Sequence, residues 1–402
     1  MKNLDIFYFG NVNAVNGVNF VTDLLISGKD GFERNGIRLK NLFALNGRID
    51  LQKTSNLAIG QNKSGKSDRV KQVLKRTFSN ILTSKISFFA WIKIKKSMID
   101  PAEHVVNNYG QEASEFIIFQ DIFTAYFFLK RYKNHKTLLI LHCSENPFEQ
   151  VLGYYPAIRS TRYESKLDMI QEYVYNNINK VVFLSSAAHE YNVHLLGRKS
   201  SFIYNGIPDI NKVEREKIVK ERSILNLVCV GSINGRKGQD LLIHSLNSLD
   251  ISFKQRIHLH LVGGGRDFDS LKELIVKFKL TDNVTMHGVR NDVDVVLKDM
   301  DIMALPSSSE GMPLSLLEGM RQGMYIMATP IGAIPEMIDN SFGDLIERNV
   351  ESIVNKLKLL IEDPNKIEVA KNASRQFYLD NFTQDCMVAK YAELINEMNE
   401  KE

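Results

Sequence analysis

The stretch from Pro306 to Gly323 combines carboxylates, small residues and proline in a pattern that suits a hydroxylated, anionic ligand. A short apolar strand is expected to end at Pro306, and Glu310 lies in the polar loop that follows. Pro313 fits the first position of a helix, and the unpaired backbone amides of a helix start bind anions. Glu318 lies eight residues after Glu310, inside that helix. Each carboxylate could therefore accept hydrogen bonds from a polyol, although the spacing equally fits two solvated glutamates.

The elements that would position these carboxylates alternate between short strands and helices, as is typical of parallel α/β sheets. In the second half of the chain, apolar runs predict five strands, at 225–231, 258–265, 283–288, 301–306 and 325–329. The first half repeats the pattern less regularly, with strands predicted at 4–9, 37–43, 116–120, 138–141 and 180–184. Because ligands bind beyond the carboxyl ends of parallel strands, two such halves would enclose a site in a cleft.

The composition is that of an ordinary globular protein of two or three domains. The 402 residues are 44% hydrophobic and 24% charged, which excludes collagen-like, disordered and disulfide-scaffold chains. Three separated cysteines without a Cys-x-x-Cys pair argue against a zinc ribbon and fit a reducing compartment. No run of about 20 apolar residues predicts a membrane helix, so a cytoplasmic protein is expected.

Positive charge is in excess in the first half, where residues 1–205 hold 27 basic and 17 acidic side chains, whereas the remainder holds 24 and 30. The stretch 62–96 has ten basic residues and one acidic residue, Asp68, and Phe88–Ile92 lies among its lysines. Lysines beside apolar aromatics are typical of a segment at an anionic membrane surface or a lipid-phosphate site. A solvated basic loop with a buried aromatic strand is the equally weighted alternative. Nucleic acid is not expected, because no recognition motif occurs and the second half is acidic.

Six motifs in a fixed order resemble family 4 of the retaining glycosyltransferases. They are Tyr204-Asn-Gly-Ile207, Val230-Gly-Ser-Ile-Asn-Gly-Arg-Lys-Gly238, Leu261-Val-Gly-Gly-Gly265, His287-Gly288, Glu310-x7-Glu318 and Thr329-Pro-Ile-Gly-Ala-Ile-Pro-Glu336. The resemblance is nearly continuous from Lys180 to about Asp339 and returns in the final helix, whereas the first half matches weakly.

This resemblance implies the GT-B fold, in which two Rossmann-like α/β domains face one another across a cleft. The implied division is an acceptor-binding domain at 1–205 and a nucleotide-sugar-binding domain at 206–378. A C-terminal helix within 379–402 would return to the first domain.

The resemblance also implies site roles in the second half. Glu310 resembles the glutamate that holds the hydroxyls of the donor sugar, and Glu318 resembles the one that holds the nucleotide ribose. Lys237 matches the lysine that binds the donor diphosphate, with Arg236 beside it. The loop residues whose amides would touch sugar and phosphate are Gly311, Met312, Leu314 and Ser315.

In the first half, the resemblance assigns two residues. Gly17 matches the glycine turn of the first βα loop, where the backbone approaches the donor phosphate closely. His142 resembles the histidine near the sugar and acceptor, although a lone histidine after the apolar run Leu138–Leu141 is also often a core residue.

The implied activity is transfer of a sugar from a nucleotide diphosphate sugar to a glycan, lipid-linked or other hydroxyl acceptor, with retention at the anomeric carbon. Glu310, Lys237 and His142 would be the catalytic residues, and neither a metal nor a cofactor is expected. Ser232 departs from the family, which usually has arginine there, so a catalytically silent, glycan-binding partner subunit is an alternative. A nucleotide-sugar epimerase is a less favoured one.

Two further matches have simpler explanations. Gly60-Gln-Asn-Lys-Ser-Gly-Lys-Ser67 satisfies the P-loop pattern of NTPases, but the residues before it make a poor strand. Asp292-Val-Asp294 imitates a metal-binding Asp-x-Asp pair, and helix capping is expected to explain it instead.

Overall fold

Two mainly parallel sheets, one in each of two compact units, organise the chain. The computed structural model describes residues 1–10, 17–53, 85–142, 146–210 and 224–398. The first unit comprises Met1–Tyr204 together with Met387–Glu402, and the second comprises Asn205–Cys386. The P-loop match at 60–67 lies outside the described residues. The same is true of residues 62–84 of the basic stretch 62–96.

The first unit has a seven-stranded sheet in the order β3-β2-β1-β4-β5-β6-β7. The strands are β1 Lys2–Phe7, β2 Ile37–Ala44, β3 Gly47–Asp50, β4 Phe116–Phe119, β5 Lys136–Leu141, β6 Lys180–Phe183 and β7 Ser200–Phe202. Neighbouring strands are parallel except β2 and β3, which form an antiparallel hairpin. The five predicted strands are present, whereas β3 and β7 were not predicted because both are short and polar.

Helices cover this sheet and close a core rich in phenylalanine. They are α1 Gly17–Ser27, α2 Lys29–Arg34, α3 Ser87–Ile94, α4 Asp100–Tyr109, α5 Ile122–Arg131, α6 Glu149–Tyr154, α7 Arg162–Asn177 and α8 Ser186–Leu196, and a π-helical segment, Lys95–Ile99, joins α3 to α4. The Phe7 ring lies 4.7 Å from Phe43 and 5.4 Å from Phe128, between centroids. Phe88–Ile92 belongs to α3, so the alternative of a buried aromatic strand was wrong.

The second unit has a six-stranded parallel sheet in the order β10-β9-β8-β11-β12-β13. The strands are β8 Leu225–Val230, β9 Ile257–Val262, β10 Val284–Gly288, β11 Ile302–Leu305, β12 Tyr325–Ala328 and β13 Gly343–Leu345. All five predicted strands are present. This strand order places β8 beside β11, so the chain crosses over and brings two segments far apart in sequence to one edge.

The helices of the second unit are α9 Gln239–Ser248, α10 Ile251–Lys254, α11 Phe268–Lys277, α12 Val293–Leu297, α13 Leu314–Arg321, α14 Ile334–Met337, α15 Val350–Glu362 and α16 Asn365–Asn381. The last helix, α17 Gln384–Glu397, belongs to the first unit from Met387 onward. There Val388 packs so closely on α2 that a Cβ at Gly28 would lie 2.6 Å from it, and Lys2 Nζ donates to Asn396 Oδ1 at 2.7 Å. None of the described helices combines the length and apolarity that membrane spanning requires.

Three histidines lie side by side on the neighbouring strands β9 and β10, of which β10 is an edge strand. The His260 and His287 rings stack with centroids 5.3 Å apart and share a hydrogen bond of 3.0 Å, and the His258 ring lies 4.8 Å from His260. Burial first, and then His258 and His287, lower the pKa of His260 to about 4. Burial and the neighbouring Arg290 also lower the pKa of His287. The folded protein therefore favours neutral rings here.

We expect this cluster to make the fold acid-sensitive. Since the folded pKa of His260 lies below the ordinary value of about 6.5, the unfolded chain takes up the proton first, and stability falls between pH 6.5 and 4. In urea unfolding at pH 7 and pH 5, His260→Gln should reduce the loss of stability at the lower pH by about 1 kcal/mol, about half of what the shift alone would give, because solvent screens the half-buried ring. The exposed His104→Gln is the control and should retain the wild-type difference. An unchanged difference in His260→Gln would contradict this assignment.

Candidate donor site

The turn after β8 and the loop after β11 meet at the carboxyl edge of the second sheet. The turn ends at Gly238, which has φ of +74°, and a Cβ there would lie 2.3 Å from the carbonyl oxygen of Pro306. Only glycine allows this approach without displacing the backbone. The Ser308 amide also donates to the Arg236 carbonyl at 2.8 Å. These contacts fix the position of Lys237 relative to Glu310, although 73 residues separate them.

Lys237 and Glu310 form an ion pair that is almost removed from solvent. Lys237 Nζ donates to Glu310 Oε1 at 2.7 Å, and the two side chains are 11% and 8% exposed. The Arg236 Nη1 atom lies 3.4 Å from the other carboxylate oxygen and donates to the Ser309 carbonyl. Two cations thus surround one carboxylate, leaving an excess of one positive charge. A partly desolvated positive charge attracts an anion more strongly than it would in water.

The loop that carries Glu310 leads directly into α13. Pro313, with φ of −76° and ψ of 115°, is the residue before the helix rather than its first residue, so its predicted position was wrong by one. Leu314 and Ser315 therefore form the first turn, where amides have no acceptor within the helix. Met312 is buried, and its sulfur accepts from the Asn205 amide at 3.0 Å. The carboxyl edge of the second sheet therefore carries a carboxylate, two cations and the start of a helix.

The segment after β12 supports this loop from behind. Thr329 Oγ1 donates to the Ser307 carbonyl at 2.6 Å, and the Ala333 amide donates to the Gly311 carbonyl at 2.8 Å. Gly332 has φ of +55°, and a Cβ there would lie 2.2 Å from the Glu310 carbonyl oxygen. The Thr-Pro-Ile-Gly-Ala stretch thus has a structural role, because it fixes the loop backbone.

Glu318 lies in α13 with its carboxyl group largely shielded. Burial raises the pKa of Glu318 to about 7, an effect that Arg321 opposes and Asp294 reinforces. Arg321 is itself engaged, since it donates to Asp294 and, at 2.8 Å, to the Pro208 carbonyl. Near neutral pH this carboxyl group is therefore poised between its neutral and charged forms.

Asp292 and Asp294 have a different role from the one that the sequence predicted. Neither caps α12 through its side chain, since Asp292 pairs with Arg290 at 2.6 Å and Asp294 pairs with Arg321. The capping prediction was therefore wrong, because cations outside the helix compete for both carboxylates. Within the described ranges, no three His, Cys, Asp or Glu side chains converge in a way that could hold a metal ion.

In the first unit, His142 follows β5 and its ring contacts the end of β4. His142 Nε2 lies 2.7 Å from Gln120 Oε1, and burial lowers the pKa of His142 to about 4. Gln120 is 2% exposed, and its amide nitrogen is buried without a hydrogen-bond acceptor among the described residues. Gln120 was not among the predicted site residues, although its polar side chain directly follows the apolar run Phe116–Phe119.

Gly17 is the first described residue of α1. A Cβ there would meet no atom of the described residues within 4 Å, so packing does not explain the glycine. Residues 11–16, which would complete the first βα loop, lie outside the described residues. The role of Gly17 therefore stays a prediction from the resemblance.

Comparison with known proteins supports a glycosyltransferase-like second unit. Residues 211–377 match the family described as glycosyl transferases group 1. The O-antigen biosynthesis glycosyltransferase WclY of Escherichia coli is 25% identical over 55% of this chain and 62% of its own length. The lipopolysaccharide glucosyltransferase WaaG of E. coli K12 is 32% identical over 44% of this chain and 48% of its own length. The matches thus span less than two thirds of these relatives.

The similarity of fold covers nearly the whole chain. The Anabaena protein Alr3699/HepE, in a crystal structure with UDP, aligns with 99% of this chain and 100% of its own, with a TM-score of 0.66 and 17% identity. The fold is GT-B. GT-B explains why two Rossmann-like units of similar size occur in one chain, and the predicted fold class is confirmed.

We expect the Lys237–Glu310 pair to contribute to stability in a strongly coupled way. Lys237→Met leaves a shielded carboxylate with Arg236 alone, and Glu310→Gln leaves two cations together, so each should cost about 1–3 kcal/mol. The double variant should cost about 1 kcal/mol less than the sum, in a double-mutant cycle measured by urea unfolding.

The surface pair Lys358–Asp250, 3.2 Å long, is the matched control. The Lys358→Met and Asp250→Asn cycle should give a coupling below about 0.5 kcal/mol because solvent screens the pair. Equal couplings in both cycles would mean that the Lys237–Glu310 pair gains nothing from its burial.

Proposed function

We propose that the protein is a retaining glycosyltransferase of family 4 that uses a nucleotide diphosphate hexose as donor. The observation that carries this proposal is the cluster of Lys237, Arg236 and Glu310 beside the first turn of α13. The cluster combines an excess positive charge for a diphosphate with a carboxylate for sugar hydroxyls. The UDP bound to HepE, a protein of the same fold, supports a uridine nucleotide as the carrier.

Catalysis in this proposal is stabilisation of the leaving diphosphate. As the bond to the anomeric carbon breaks, negative charge grows on the phosphate oxygen, and Lys237 and Arg236 are already held where they can offset it. Glu310 accepts hydrogen bonds from the sugar and orients it against the amides of Gly311, Met312, Leu314 and Ser315. Since the loop backbone is fixed by its neighbours, little reorganisation accompanies the reaction.

Glu318 and His142 are assigned to different parts of the substrates, and Glu318 is assigned to the ribose of the donor. Hydrogen bonds from a ribose diol favour the charged carboxylate, so binding would lower the raised pKa of Glu318. His142 is neutral near pH 7 because of its lowered pKa, and a neutral imidazole can accept from or donate to a hydroxyl. We assign it to the sugar and acceptor hydroxyls. The acceptor attacks from the face that the diphosphate leaves, and the leaving phosphate takes its proton. No metal takes part in this scheme.

The acceptor that we propose is a glycan or lipid-linked hydroxyl. The relatives WclY and WaaG, which match 55% and 44% of this chain, are described as acting in O-antigen and lipopolysaccharide synthesis. A bacterial surface polysaccharide or its lipid-linked precursor is the corresponding class of acceptor here.

One observation favours a second candidate, a catalytically silent partner subunit that binds glycan. Ser232 is exposed and accepts a hydrogen bond from Asn234 at 3.0 Å, so no cation occupies the position where the family usually has arginine. Lys237 and Arg236 would then have to offset the phosphate charge without an arginine at the strand end. If they do not suffice, donor binding would be weak and turnover absent.

The activity can be tested by release of UDP from UDP-hexoses in the presence of lipopolysaccharide or lipid-linked precursors. Lys237→Met and Glu310→Gln should each lower kcat/KM by about 100-fold or more, because both groups act where charge develops. Lys272→Met, which removes an exposed lysine from α11, should leave it unchanged.

The outcomes separate the candidates. Binding of glycan without UDP release from any donor would favour the silent partner, and conversion of the donor without acceptor would indicate an epimerase. Inversion at the anomeric carbon, measured by NMR of the product, would contradict the retaining mechanism but not the transfer of a sugar.

The position of Ser232 provides a second test. Arg236→Ala should weaken UDP binding in calorimetry by about tenfold, since it removes one charge-assisted contact with phosphate. Adding Ser232→Arg to this variant should recover most of the affinity, because the strand end then supplies the missing charge. If Arg236→Ala binds UDP normally, Arg236 does not contact the diphosphate.

A further inference from the structure

Helix α3 directs two phenylalanines away from the core of the first unit. Phe88 and Phe89 are 52% and 43% exposed, and Ile86 just before the helix is 43% exposed. The two phenylalanine rings contact one another edge to face, with centroids 5.7 Å apart. Exposed large apolar side chains that occur singly need no explanation, whereas three in four residues indicate a surface that is covered by something.

The opposite side of α3 is anchored, so the orientation of the helix is fixed. Ala90 and Ile94 are fully buried in the core of the first unit. The Trp91 ring stacks on Tyr163 at 5.2 Å with an interplanar angle of 17°. The phenylalanines cannot turn inward without removing these residues from the core, and their exposure is therefore a stable property of the fold.

Lysines follow the phenylalanines along the exposed side of the same helical segment. Positions 88, 92 and 95, and positions 89, 93 and 96, are spaced by three or four residues, so each row runs along one side of a helix. Lys95 and Lys96 are exposed, and Lys93 is half-buried. Asp100 lies 4.0 Å from Lys95 and forms an ion pair with it. The surface is thus apolar at its start and cationic at its end.

We propose that this surface, formed by Ile86, Phe88, Phe89, Lys93, Lys95 and Lys96, binds an anionic lipid bilayer. Aromatic rings enter the boundary between headgroups and acyl chains, while lysines extend their charged ends to lipid phosphates. Charge complementarity selects this partner, since the exposed Lys85, Lys95 and Lys96 flank the phenylalanines in sequence. The surface lies in the unit without the donor cluster, so the inference does not depend on the proposed reaction.

The experiment is sedimentation of the whole protein with vesicles, without any donor. Vesicles of phosphatidylcholine mixed with phosphatidylglycerol should retain the protein, and phosphatidylcholine alone should retain it weakly. Phe88→Ser/Phe89→Ser should weaken binding to the mixed vesicles by about tenfold or more. Replacing Lys95 and Lys96 by glutamine should weaken it by about fivefold for each lysine and reduce its dependence on salt.

The matched control is Tyr191→Ser/Leu195→Ser on α8, which removes two side chains of similar exposure, 55% and 56%, from the same unit. This variant should bind vesicles as the wild type does, and all variants should keep the wild-type Tm because the replaced side chains are exposed. Trp91 is the single tryptophan of the chain, and its fluorescence should be quenched by lipids with brominated acyl chains.

Indifference to lipid charge, or equal losses in the α3 and α8 variants, would overturn the proposal. Dimerisation that is lost in the Phe88→Ser/Phe89→Ser variant, without vesicle binding by the wild type, would instead identify a second copy of the chain as the partner. Loss of vesicle binding with UDP binding intact would separate this surface from the donor site.

Discussion

The candidate donor site depends on one close contact between backbones, at which Gly238 lies against the carbonyl of Pro306. This contact joins the turn after β8 to the end of β11, two neighbouring strands whose loops carry opposite charges. The Lys237 ammonium group consequently meets the Glu310 carboxylate at 2.7 Å in a place that water barely reaches. A side chain at position 238 would separate the two loops, and the ion pair, the position of Arg236 and the helix start would change together.

Much of this arrangement could be predicted from the second half of the sequence. Strands that end in glycine predict the parallel sheet, and the carboxyl ends of its strands indicate the edge at which ligands bind. The pairing of Lys237 with Glu310 could not be derived from their separation of 73 residues. It follows from the strand order, because β11 crosses over to lie beside β8. Alternation of strands and helices does not specify that order, and here the resemblance to a family supplied the missing information.

The errors of prediction have a common physical origin, since each concerns a choice made by tertiary contacts. Five apolar residues from Phe88 to Ile92 fit a strand or a helix equally well, and the burial of Ala90 and Ile94 on one side selects the helix. Asp292 and Asp294 have the residue type of helix caps, yet Arg290 and Arg321 pair with them. Gln120 was overlooked because nothing in the sequence joins it to His142, which directly follows the neighbouring strand.

Burial favours the uncharged forms of one titrating group in each unit, His142 in the first and Glu318 in the second. The lowered pKa of His142 keeps its ring neutral near pH 7, and the raised pKa of Glu318 leaves its carboxyl group poised between its neutral and charged forms. Lys237, Arg236 and Glu310 instead pair with one another at short range. Two cations beside one carboxylate leave an excess of positive charge in this cluster. A diphosphate is a compact dianion, and cations beside a helix start form an arrangement that suits such an anion.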